Sequence, residues 1–193
     1  MTEIMQSTCP EWCELIISGK KTIDVRKTRP KCNTPFKVYI YCTNDRKIML
    51  ERSNYDKSIY LNVNIYYPYK MDCSLNGKVI GEYICDAVQG YPFVDEYEYT
   101  PYHNIDKSEL EKTCLSVDEF ETYGDGKTLY GWHISDLQIY DTPKDIREFY
   151  HPCPYTEKPC ALCKYADYSS GELECRTGID RPPQSWCYVH RIG

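Results

Sequence analysis

The sequence lacks any apolar run near the ~20 residues needed to cross a bilayer, and Met1 to Gln6 carries none of the marks of a signal peptide. Those absences exclude a chain built on membrane-spanning helices and make the cytoplasm the expected location. An excess of positive charge is missing as well. With 23 Lys and Arg against 29 Asp and Glu, the formal net charge is -6, which excludes a protein that coats polyanions over its whole surface. No internal repeat or low-complexity tract is present. The 193 residues suffice for one domain with a small appendage and a core that needs no covalent staples.

What is abundant is cysteine, with 12 in the chain. A disulfide framework belongs to short secreted chains, so without an export signal the better readings are free thiols and metal ligands. Cys13, Cys42, Cys85 and Cys114 fall at apolar periodic positions and read as small core residues. Cys153, Cys160, Cys163 and Cys175 differ: they form C-x6-C-x2-C-x11-C, with His151 and Cys187 nearby. One pair spaced C-x2-C is the unit of structural zinc sites, so these four are the candidate metal ligands, zinc before an iron–sulfur cluster. A second such pair is absent, and free thiols remain the alternative.

The positive charge that the chain does carry is concentrated. "SGKKTIDVRKTRPK", Ser18 to Lys31, holds Lys20, Lys21, Arg26, Lys27, Arg29 and Lys31 against Asp24 alone. Just before it, "STCPEWCELIISG" has helix punctuation at both ends. Ser7 or Thr8 suits a cap, Pro10 a first turn, and Gly19 the left-handed residue past the end. Trp12, Leu15 and Ile16 share one face of that helix. In the following strand Ile23 and Val25 alternate with Thr22, Asp24 and Arg26, so Asp24 and Arg26 are neighbours on one face. Lys21 lies at the turn.

Further strands are expected from Phe36, Ser58, Gly77 and Lys127, where β-branched and aromatic residues dominate. Thr43 to Lys57 reads as a surface excursion or weak hairpin. "SELEKTCLSVDEFETYG" reads as helical, with Ser116 and Glu119 as a capping box for a second short helix that Gly124 can end. A helix is expected to start at Thr142 and Pro143. Many short strands with few short helices give an α+β fold, a small mixed β-barrel or strongly curved sheet. Its main body is residues 1–150; residues 151–193 form a Cys- and Pro-rich extension whose last strand, near 185–190, packs back on the barrel.

"GKKTIDVR", with its preceding helix, resembles the G-x-K-x-x-E-x-R signature of the ASCH domain, a branch of the PUA-like superfamily found in bacterial and prophage proteins. Gly19, Lys21 and Arg26 match, and Asp24 stands where the pattern has Glu. "VIGEYICDAV", "LSVDEFETYG", "YGWHISDLQIYDTPKDIREF" and "RPPQSWCYV" resemble later blocks of such domains. The resemblance implies a PUA-like β-barrel with a cleft beside the helix-to-strand turn, in a superfamily associated with RNA and modified bases. RNA or a modified nucleoside or nucleotide is thus the expected partner, with Gly19, Lys20, Lys21, Asp24, Arg26 and Lys27 binding it. Trp132 and His133 are candidates for the cleft lining; a core Trp is the alternative.

Some ASCH proteins resemble amidohydrolases acting on acetylated cytidine, and others are associated with ribonuclease activity. In the deacetylating group the motif lysine works with a threonine three residues later and a separate glutamate. Here that position is Asp24, so the hydroxyl nucleophile is missing there. Lys21, Asp24 and Glu82 are the candidate catalytic groups, and whether the chain is an enzyme stays open. A phage–host protein-interaction module is the third class.

Overall fold

A computed structural model describes residues 1–63, 73–95, 102–152 and 178–191, together with the short strands 166–167 and 174–175. Strand β1 (Glu3–Thr8) leads into helix α1 (Pro10–Ile17), then β2 (Ile23–Arg26) and β3 (Phe36–Cys42). A hairpin of β4 (Ile48–Arg52) and β5 (Ile59–Val63) follows. Next come β6 (Lys78–Cys85), β7 (Val88–Tyr91), β8 (Phe93–Val94) and β9 (Tyr102–His103). Helices α2 (Lys107–Thr113) and α3 (Val117–Gly124) precede β10 (Leu129–His133) and β11 (Ser135–Lys144). A single 3-10 turn over Ile146–Glu148 reaches β12 (Phe149–Tyr150), and β13 (Ala166–Asp167) pairs with β14 (Glu174–Cys175). Strand β15 (Trp186–Arg191) comes last.

The principal sheet has six strands in the order β11-β6-β3-β1-β15-β12, and a second sheet has the order β2-β10-β7. Strands β1 and β3 are parallel, from Glu3 opposite Lys37 to Thr8 opposite Cys42. A parallel pair needs a crossover of a dozen or more residues, and α1 with β2 supplies it. That crossover brings Arg26 back beside Ser7 at the end of β1. The architecture is α+β: the described residues are mostly strand, with three short helices.

Helix α1 runs from Pro10 to Ile17 with Ser18 as its C-cap, and Gly19 just beyond takes φ +73°, the left-handed conformation glycine adopts without strain. Its N-cap is Cys9 and makes no side-chain cap. Cys13 and Ile16 enter the main core with Ile4, Phe36, Val38 and Ile80. There Phe36 and Trp132 meet edge to face, centroids 5.4 Å apart, a contact that contributes about 1 kcal/mol beyond area burial. The opposite face of the six-stranded sheet carries a second cluster, including Met5, Tyr39 and Phe149. In β2, Ile23 and Val25 join a third cluster with Phe120 and Leu129, as the alternation of the sequence predicts. Gly131 lies between them: a Cβ there would stand 2.7 Å from Ile23 and 2.8 Å from the Tyr91 ring.

One strand escaped the sequence pattern, and one expected helix needs correction. Strand β1 carries no alternating signal, because it lies between β3 and β15 and most of its residues are buried on both faces. Thr142 and Pro143 belong to β11, not to a helix. That strand is the edge of its sheet and its register shifts between Ile139 and Lys144, which tolerates a proline. The Ser116–Glu119 capping box starts a second helix in the stretch from Ser108, as expected, and the two helices part where Cys114 takes φ 58°.

Candidate functional site

Where α1 hands over to β2, a cavity of about 650 Å³ opens between α1 and α3. Lys21, Asp24 and Arg26 line it, buried to 3%, 5% and 8% exposure. Asp24 sits between the two cations. Its Oδ2 accepts from Arg26 Nε at 2.6 Å, and its Oδ1 lies 3.7 Å from Lys21 Nζ. Buried charges persist only when paired and hydrogen-bonded, and all three are.

Arg26 is saturated by the protein itself. Its Nη1 donates to the Ser7 carbonyl at 3.1 Å and the Ser185 carbonyl at 3.3 Å; Nη2 donates to the Ser7 carbonyl at 3.2 Å and Thr8 Oγ1 at 3.4 Å. Burial opposes its charge, but the Asp24 carboxylate prevails and holds the guanidinium above its ordinary pKa. Lys21 donates to the Thr113 carbonyl at the end of α2 at 2.7 Å, and its Nζ stands 4.9 Å from the centroid of the Trp12 ring. Burial prevails for Lys21: its pKa is lowered, although Asp24 pulls the other way.

The walls are aromatic and the mouth is acidic. Trp12 on α1 and Tyr123 on α3 both line the cavity. Exposed Lys27 stands over Tyr123, 5.1 Å from the ring centroid. Asp118 and Glu119, also on α3 and exposed, complete the charged lining. The charges therefore cancel, Lys21, Arg26 and Lys27 against Asp24, Asp118 and Glu119. The remaining positive charge of the segment, on Lys20, Arg29 and Lys31, is exposed outside this lining.

The structure separates other candidates from this group. Gly19 ends α1 and Lys20 is exposed; neither lines the cavity. Trp132 pairs across from Asp24 in the ladder but is fully buried in the main core. His133, next along the strand, is an exposed partner of Asp86, Nδ1 to Oδ1 at 2.6 Å. Glu82 lies on the six-stranded sheet opposite Tyr39, bonded to Lys37 at 2.7 Å and to the Tyr140 hydroxyl. Burial opposes ionisation of Glu82, yet those two hydrogen bonds lower its pKa. It borders a different hollow, with Lys37 and Asp136. Cys153, Cys160 and Cys163 lie outside the described residues, and Cys175 enters only as a backbone partner of Ala166. Among the described residues no three metal-ligating side chains converge.

Trp12 and Tyr123 are the lining aromatics that the sequence reading passed over. Trp12 carried a signal, since it is on the helix that delivers the motif. On α3, Asp118 and Thr122, like Glu119 and Tyr123, stand four residues apart and so share a face; nothing in the sequence says which cavity that face meets.

Neither the family models nor the curated proteins match this chain. Solved structures do. Two single-substitution variants of the ASCH protein from Zymomonas mobilis superpose with TM-scores of 0.51 and 0.50, each at 17% identity. The first covers 97% of this chain and 88% of its own, the second 98% and 91%. The likeness shows a shared fold over nearly the full length.

Proposed function

Because this chain has the ASCH fold, we propose that it binds a modified nucleoside, or one unpaired base of an RNA, in the cavity between α1 and α3. The observation that supports the reading most is the pairing of aromatic walls, Trp12 and Tyr123, with a floor that carries Lys21 and Asp24 side by side. Aromatic faces accept any base by stacking, worth ~1–3 kcal/mol per base. A fixed donor next to a fixed acceptor suits the edge of a nucleobase, which alternates the two. Modified nucleosides and short RNAs, titrated calorimetrically, test it. Trp12→Ala should weaken binding by about tenfold or more, and Lys21→Met should weaken it as well. If no nucleoside or RNA binds, or if both variants bind like the wild type, the proposal fails.

Hydrolysis at the same floor is the second reading, favoured by the lowered pKa of Lys21. A lysine pushed toward its neutral form serves as a base or nucleophile. On this reading acetylated cytidine or RNA is cleaved, and Lys21→Met binds without turnover. Mass spectrometry of the incubation mixture decides it.

A further inference from the structure

Resting on the reading of the cavity as a base-recognition site, the charge inventory narrows the guest further. We infer that the cavity takes an uncharged guest, a free nucleoside, and turns away the phosphorylated forms and the RNA strand itself.

The charge of both buried cations is already countered inside the protein by Asp24, which lies between them. Arg26 has its five N–H groups aimed at Asp24, Ser7, Thr8 and Ser185. Lys21 is held by the Thr113 carbonyl and Asp24 beneath Trp12. Phosphate recognition elsewhere relies on cations and N–H groups that face the anion. Of the cations in this lining only Lys27 is exposed, and it shares the mouth with the exposed Asp118 and Glu119, two carboxylates against one ammonium. A phosphate ester of nearly two negative charges meets a rim of net negative charge. Between the charged groups the lining includes Trp12, Val25, Leu115 and Tyr123, apolar surface suited to an uncharged ring.

The discriminating experiment titrates cytidine and acetylated cytidine, each as nucleoside and as monophosphate, against the wild type and the double variant Asp118→Asn/Glu119→Gln. Gln keeps the capping box that starts α3. The nucleoside should bind about five- to tenfold more tightly than its monophosphate at low salt. Salt should narrow that gap, because the mouth is exposed, and the double variant should close most of it. For a short RNA, affinity should not show the steep loss with salt that marks phosphate contacts. Should the double variant misfold by circular dichroism, Asp118→Asn alone should close part of the gap. A monophosphate that binds as tightly as its nucleoside, or a gap that the variants leave intact, overturns this inference while base recognition stands. If neither form binds, base recognition fails, and this inference falls with it.

Discussion

Arg26 matches the basic end of the sequence motif, yet its contacts are those of a structural tie. It joins β2 to the last residues of β1 and to Ser185 ahead of β15. Removing one member of a buried pair leaves the other charge uncompensated, at a cost of roughly 3–5 kcal/mol. Arg26→Ala should therefore lower stability by about that amount in denaturant titrations; an unchanged midpoint would contradict the role. Glu82 gives a separate test. Its pKa is lowered from 4.5 in the folded state, so its ionised form stabilises the fold at neutral pH, and that contribution is lost as pH falls through the folded value. Glu82→Gln should cost about 1 kcal/mol at pH 7 and should flatten the decline in stability below pH 4.5. A wild-type and variant difference that is constant with pH would refute the linkage.

At the scale of elements, α3 is a wall whose position is fixed from behind. Glu121 accepts from the His103 backbone at 2.7 Å and meets its ring Nδ1 at 2.6 Å, while Gly124 leaves no room for a Cβ beside the same ring. The capping box on Ser116 fixes where the helix starts. Ser116→Ala should cost about 1 kcal/mol, and it should weaken nucleoside binding more than it speeds hydrogen exchange in the main core. Local punctuation made much of this legible. Pro10, Gly19 and the Ser116–Glu119 pair mark helix ends by chemistry that acts within a few residues. The cavity itself was only half legible, since its floor comes from one contiguous motif and its far wall from α3, nearly a hundred residues later. Trp132 misled for a related reason: β-pairing sets it opposite Asp24, but which layer covers a strand face is a tertiary matter.

For the whole molecule, the six-stranded sheet draws its centre from both ends of the chain, with β1 between β3 and β15. The sequence hid β1 because an interior strand buried on both sides shows no alternation, and Gln6 in its middle is polar. That Gln6 is fully buried and accepts from the Tyr83 hydroxyl at 2.9 Å shows how a polar residue fits there. Ending the chain before Trp186 should leave β1 with an open edge, and a cooperative thermal transition should be absent from the shortened protein. Through its bond to Ser185, Arg26 also ties the pocket floor to the segment that leads into β15. A fragment that stops short of Ser185 can carry every residue of the motif and yet lack the acceptor that seats its guanidinium. Receptor competence is therefore a property of the assembled sheet, gained only once segments 159 residues apart have met.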